Sequence, residues 1–200
     1  EGEIDLYQPI SDYIPEFANT DYKDNLKVYH ILSHSSGLVP NAYDNLIESR
    51  MSYPDIVEKL LTVAPICDPG QCYGYQNVMF SLIDDVILRS THKSYSQWLN
   101  DAIFTPLKMH DTSLGYDAMV QDKNYAFPHV RGKKRWYSAK LKKNYYKVAP
   151  AAGINASAAD MAIWLKAQLG QYPNVLSLDA LAVQTRPYTH TKKEQYRRVW

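Results

Sequence analysis

The sequence predicts a layer of helices with hardly any strand of its own: a mostly α domain or, within something larger, the helical layer of an α/β protein. Three observations predict it. Apolar residues recur at helical spacing, as at Ile56, Val57, Leu60 and Leu61, and again at Val78, Met79, Leu82, Ile83, Val86 and Ile87. Helix-start residues head these windows: Ser52-Tyr53-Pro54, Ser94 and Ser157. Alternation of the kind a strand needs is confined to one basic segment, 135–148.

The elements follow in order. Glu1 to Leu6 reads as the tail of an earlier helix running into an extended piece, and Pro9 to Phe17 as a loop with apolar anchors. Asn19 to Asn25 is polar and turn-like. A short helix at Val28, Ile31 and Leu32 is expected to end in Ser35-Ser36-Gly37, with Gly37 as its left-handed cap and Leu38 packing beyond it. Pro54 fits the first turn of the next helix, which Pro65 stops. The run from Val78 to Arg89 predicts one largely buried helix. Ser94 caps the following one, which turns Tyr95, Trp98, Leu99 and Ile103 inward until Pro106 ends it. Residues 111–130 are irregular. Arg135-Trp136-Tyr137, Lys140-Leu141-Lys142 and Tyr145-Tyr146-Lys147-Val148 read as two short strands or extended arms around a turn. Ser157-Ala158-Ala159-Asp160 opens a helix through Met161, Trp164, Leu165 and Leu169 to Gly170. Another, near Leu178 to Val183, precedes a polar end.

At 200 residues the prior is one domain, and 46% hydrophobic with 22% charged residues excludes a disordered chain. No apolar run approaches the ~20 residues of a membrane helix. The net charge of +1 hides an asymmetry. Nine of the 22 Lys/Arg lie in 123–159, which holds no Asp or Glu, so the other 13 face all 21 acidic residues. Cys67 and Cys72 sit across a Pro69-Gly70 turn with no His beside them and no second pair, which argues against zinc. We expect a disulfide ahead of two packed thiols, and with it an oxidising compartment.

The turn leads into Tyr73-Gly74-Tyr75-Gln76-Asn77 and then the buried helix, a place where polar side chains stand at a fixed rim. Taken alone Tyr75 is one of 17 tyrosines. Its context says more. Pro69-Gly70, then Tyr75-Gln76-Asn77, then Phe104-Thr105-Pro106-Leu107-Lys108-Met109 and Thr112 follow an order that resembles the class C β-lactamases and the related penicillin-binding DD-peptidases and serine esterases. Gly2-Glu3-Ile4-Asp5-Leu6 with Ile14-Pro15-Glu16, Ile31-Leu32-Ser33-His34-Ser35-Ser36-Gly37-Leu38, and Ala152-Gly153 through Asp160-Met161 resemble further stretches of that family in register. The resemblance covers roughly residues 1 to 170.

It implies an α+β fold of the β-lactamase/transpeptidase-like type, of which these residues supply mostly the helical layer with a short β-hairpin, the central sheet being largely missing. One partial domain over 1–200 is expected. It also implies an acyl-serine mechanism in which a Ser-x-x-Lys serine attacks an amide or ester carbonyl. Tyr75 would be the base, its phenol brought into range by neighbouring ammonium groups, and Asn77 the positioning amide. The Ser-x-x-Lys that should precede Glu1 and the later Lys-Thr-Gly or His-Thr-Gly strand are not among the 200 residues, so the isolated chain is expected not to acylate. A β-lactam, a D-Ala-D-Ala peptide or an ester is the implied substrate, and a periplasmic or secreted location is implied with it. No cofactor, metal or nucleic acid is implied.

Other residues invite chemistry and are read otherwise. Ser90-Thr91-His92-Lys93 matches Ser-x-x-Lys literally but follows Tyr75, at a helix end. His34 beside Ser35 and Ser36 is read as a buried, hydrogen-bonded histidine at a helix end, since sequence neighbours seldom face each other for proton transfer. His110 falls in a turn, and His30, His129 and His190 lack metal-ligand spacing. The rival function is a non-catalytic binding module that uses the basic and aromatic block 131–147 to hold an anionic polymer. A solvated hairpin balancing the acidic remainder is the plainer reading of that block.

Overall fold

The computed structural model describes residues 3–20 and 24–189. The expectations for Glu1, Gly2, residues 21–23, His190 and the polar end therefore lie outside the described residues. Among those described, the strands form two separate two-stranded antiparallel sheets, β1 (Ser113–Leu114) with β4 (Ile154–Asn155) and β2 (His129–Arg131) with β3 (Trp136–Ser138). The rest is helix and turn, as the apolar spacing predicted.

Two clusters of buried side chains organise the helices. The first gathers α1 (Ile10–Tyr13), α2 (Val28–Leu32), α3 (Asp44–Ile47), α4 (Tyr53–Leu60), α5 (Asn77–Ser81) and α6 (Ile83–Thr91). Ile10, Phe17, Ile31, Leu38, Ile56, Met79, Leu82 and Val86 meet there, out of water. The loop predicted for Pro9 to Phe17 is instead α1 followed by a 3-10 turn, Pro15–Asn19, because Ile10, Ile14 and Phe17 are all drawn into this core. The helix predicted from Val78 to Arg89 is broken at Leu82 between α5 and α6.

The second cluster joins Leu99, Phe104, Leu107, Met109, Ala167 and Leu176. Leu99, Phe104, Leu107 and Ala167 come from α7 (Tyr95–Leu99), a π turn at Asn100–Phe104, α8 (Thr105–Leu107) and α11 (Ala158–Gln168), and Met109 and Leu176 from the segments that follow α8 and α11. Pro106 does not end the predicted helix. It sits in the first turn of α8, where a missing N–H costs nothing, and the helix stops at Lys108 in the left-handed region (φ 59°). The irregular stretch holds β1 and α9 (Tyr116–Gln121). Residues 144–148 are a 3-10 turn, so the partner of Trp136–Ser138 is the upstream His129–Arg131. α10 (Ala149–Ala152) and α12 (Leu178–Thr185) complete the described helices.

Ser94 and Ser157 cap as expected, accepting from the amides of Gln97 and Asp160, and of the two possible starts before Pro54 it is Ser52 that caps, accepting from the Asp55 amide. Asp160 then ties the second cluster together. It is buried and accepts from the Asp111 amide (2.8 Å) and the Thr112 hydroxyl (2.7 Å). The stripe Met161, Leu165 and Leu169 on the same helix lies exposed, Leu169 at 77%.

Candidate active site

The residues after the Pro69-Gly70 turn run as an extended strip against the segment that follows α2. The Gly74 amide donates to the His34 carbonyl (2.8 Å), and the Asn41 amide donates to the Tyr75 carbonyl (2.7 Å). The Gln76 amide donates to His34 Nδ1 (3.2 Å), while the Gln76 side-chain Nε2 donates to the Val39 carbonyl. Asn77 Nδ2 donates to Asp44 Oδ2 at 2.8 Å. Each residue from Gly74 to Asn77 is thus tied to 34–44, a separation along the chain that no local pattern announces.

Close approach is what the glycines here permit. A Cβ on Gly37 would stand 2.2 Å from the Cys67 carbonyl oxygen, and one on Gly74 2.5 Å from the Leu38 carbonyl oxygen. Gly37 is left-handed (φ 89°), as expected, but it does not cap α2. The chain leaves α2 through Ser33 and His34, and His34 itself takes the left-handed conformation (φ 54°). Asn41 (φ 58°) and Tyr43 (φ 62°) do the same a few residues on. Left-handed non-glycine residues cost free energy and persist where their surroundings over-determine them, often beside functional sites.

The turn is pinned in the same way. Ile66 and Gly70 donate to the Gly37 and Ser35 carbonyls, both at 2.8 Å. Cys67 and Cys72 are joined in a disulfide with their Cα atoms 6.3 Å apart. His30 backs the turn. It is buried, its Nδ1 accepts from the Lys27 amide (3.0 Å), and burial, helped by the Lys27 charge, pulls it down to about 4.

At the rim, Tyr75 is 42% exposed and Asn77 only 8%. The Tyr75 ring lies against the His34 imidazole, centroids 4.4 Å apart, and the other side of this group is Phe80 at 5.4 Å from His34. Burial lowers the His34 pKa, and its Nδ1 is occupied as an acceptor, so His34 is a neutral packing surface for Tyr75. Asp44 is pushed up by burial, against the pull of the Asn77 amide. Its Oδ1 is buried with no hydrogen-bond partner among the described residues. The 3-10 turn of the basic block packs against α3 and α5, which brings the end of that block beside this rim, and burial raises its Tyr145, with the Asp44 and Glu48 charges adding to the rise.

The structure therefore brings together Tyr75, Gln76, Asn77 and the disulfide pair Cys67 and Cys72 in one strip, and adds Asp44 and Asn41. Nothing local marks these additions; Asp44 and Asn77 meet across 33 positions of sequence. The remaining candidates fall elsewhere. The Ser90 hydroxyl is spent on the Val86 carbonyl (2.7 Å), and Lys93 is paired with Asp101 (2.7 Å). Ser35 bonds Ser33, and the Ser36 hydroxyl is buried without a partner among the described residues. His129 Nδ1 faces the Phe127 carbonyl (2.8 Å), and His110 is exposed in a turn. Among the described residues no group of three or more His, Cys, Asp and Glu gathers to hold a metal. No described helix is long and apolar enough to cross a membrane.

The sequence profile of the family named Beta-lactamase matches residues 1–199. The chain belongs to the β-lactamase family. Among curated relatives it is similar to an N-acetylmuramyl-L-alanine amidase of Bacillus subtilis (strain 168), with 24% identity over 90% of this chain and 47% of the relative. It is likewise similar to a β-lactamase of Escherichia coli (strain K12), with 24% identity over 84% of this chain and 42% of the relative. The octameric penicillin-binding protein homologue from Pyrococcus abyssi shares the fold at a TM-score of 0.81 and 18% identity, over 96% of this chain and 45% of that one. A class C β-lactamase shares it at 0.67 and 22%, over 85% and 45%. The chain thus spans about half the length of the curated relatives it matches.

Proposed function

We propose that the protein carrying this chain is a serine hydrolase of the β-lactamase, DD-peptidase and esterase type, which cleaves an amide or ester through an acyl-serine intermediate. One observation carries the reading: an accessible phenol, Tyr75, stands two residues before a buried amide, Asn77, on a strip whose every residue is tied to a second segment. Tyr75 then moves the proton between nucleophile and leaving group, and preorganisation of this kind lowers the barrier without reorganisation during the step. Asn77, with its Nδ2 held by Asp44, presents an amide in one orientation.

On this reading the nucleophilic serine and its lysine belong to sequence before Glu1, and the 200 residues alone do not acylate. The substrate is a β-lactam, a D-Ala-D-Ala peptide or an ester, met in the periplasm or outside the cell, where a disulfide such as Cys67–Cys72 persists. The test is covalent labelling by a fluorophosphonate or penicillin probe. The longer protein takes up one equivalent on a serine that precedes Glu1, and the isolated chain takes up none. Labelling of the isolated chain, or a longer protein inert to both probes, contradicts the proposal.

A further inference from the structure

The basic block folds into a feature that the hydrolase reading does not use. In the β2/β3 ribbon His129 pairs with Ser138, Val130 with Tyr137 and Arg131 with Trp136, and all six residues are exposed. Side chains alternate across a ribbon, so His129, Arg131, Trp136 and Ser138 share one face and Val130 and Tyr137 the other. The second face is partly closed on itself: Tyr137 lies against Gly132, and the Arg135 guanidinium sits 4.9 Å over the Tyr137 ring. The first face is open, with Trp136 62% exposed.

At Ser138 that open face runs into a groove of about 410 Å³ between the ribbon's base and α9, walled by Tyr116, Tyr125, Phe127, Lys140 and Leu141. The Tyr125 and Phe127 rings are 4.7 Å apart, and the Lys143 ammonium stands 5.7 Å over Tyr116. Rings and cations therefore alternate from Trp136 to Tyr116. Among the described residues none of Arg131, Lys133, Lys134, Arg135 or Lys140 is in an ion pair. Beyond the ribbon, the block is fixed to the body. Asn144 donates to the Glu48 carbonyl (2.9 Å), and Lys147 donates to the Ile47 (3.1 Å) and Ser49 (2.5 Å) carbonyls.

We propose that the open face of the β2/β3 ribbon and the groove beside α9 form a binding track for an acidic polysaccharide. Sugar rings lie on Trp136 and on the Tyr125/Phe127 pair, and their carboxylates or sulfates meet Arg131, Lys133, Lys134 and Lys140. Charge complementarity names the partner: Arg131, Lys133, Lys134 and Lys140 line the track without an ion pair among the described residues, while Lys142 and Lys143 are paired with Glu48 and Asp117. One observation chooses among polyanions. The Cys67–Cys72 disulfide belongs to oxidising compartments, where surface polysaccharide is the polyanion at hand and cytosolic RNA is not. The track is independent of the hydrolase reading, and its test reads binding alone.

The test measures binding of the longer protein to polygalacturonate, dextran sulfate, neutral dextran, oligothymidylate and phosphatidylglycerol vesicles by fluorescence anisotropy or co-sedimentation. The track predicts binding to polygalacturonate or dextran sulfate, whichever is tighter identifying carboxylate or sulfate, and none to dextran. Affinity should fall at least tenfold between about 50 and about 200 mM salt, as ion release requires. The triple variant R131A/K133A/K134A should bind at least about tenfold more weakly with a shallower salt dependence, and Trp136→Ala several-fold more weakly with the dependence unchanged. Melting temperatures within a few degrees of the parent show that both variants fold. Equal or tighter binding to oligothymidylate or to vesicles, no binding to either acidic glycan, or acidic-glycan affinity that survives both variants overturns the proposal.

Discussion

Residues 74–77 and the β2/β3 ribbon are both short extended segments that present tyrosine to solvent, yet the protein holds them in opposite ways. Each residue of the first is bonded to a segment some 33 to 42 positions away, and its neighbours Gln76 and Asn77 are buried. Among the described residues the ribbon pairs strand to strand, and both its faces are wet. An isolated two-stranded ribbon is marginal in water. A held phenol suits chemistry that needs a fixed geometry, whereas an open ribbon suits a surface that meets a flexible partner. The contrast also separates stability from function: substitutions that break the bonds between 74–77 and 34–44 should destabilise, and substitutions on the ribbon should not.

The largest effect is expected at Gly37. A Cβ there meets the Cys67 carbonyl oxygen at 2.2 Å in a left-handed backbone, so Gly37→Ala should cost on the order of 3 kcal/mol or more. In a protein of this size that lowers Tm by roughly 10 °C, readable by calorimetry. A variant that melts with the parent would show that the two segments are not in contact as described.

Next comes pH. His30 is held down at about 4, below the ~6.5 of an unfolded chain, so the unfolded state binds the extra proton between these values. The stability that neutral His30 contributes is complete above about 6.5 and is lost as pH falls toward about 4, a change on the order of 3 kcal/mol. Thermal melts across that window should show the loss, and His30→Gln should flatten it. Removing the disulfide with Cys67→Ser and Cys72→Ser should cost about 2 kcal/mol by the loop-entropy account. Trp136→Ala is expected to change stability by no more than about 0.5 kcal/mol, because its side chain is exposed. Equal costs at Gly37 and Trp136 would erase the contrast between the two regions.

What the sequence disclosed follows the range of the interactions. Caps at Ser52, Ser94 and Ser157 bond three residues ahead, so a short window contains both partners. The disulfide closes over five residues and was legible for the same reason. The left-handed step at His34 was assigned to Gly37, since glycine is the residue that usually takes it; tertiary bonding from Gly74 and Gln76 holds a histidine there instead. The break at Leu82 and the π turn before Pro106 interrupt apolar spacing that itself runs on, so periodicity predicted continuous helices. The resemblance, carried by order and spacing along the chain, singles out Tyr75 and Asn77 as candidates. It does not single out Asp44, which meets Asn77 across 33 positions of sequence.

The exposed stripe of Met161, Leu165 and Leu169 on α11 contrasts with the wet ribbon in another way, being apolar where the ribbon is cationic.

The measurement closest to the central claim is the rate of covalent labelling of the longer protein by a penicillin or fluorophosphonate probe, compared between the parent and Tyr75→Phe. The phenyl ring keeps the packing on His34, so Tm should hold to within about 1 kcal/mol of stability while labelling slows by roughly two to four orders of magnitude. Undiminished labelling in a folded Tyr75→Phe protein would remove Tyr75 from the chemistry.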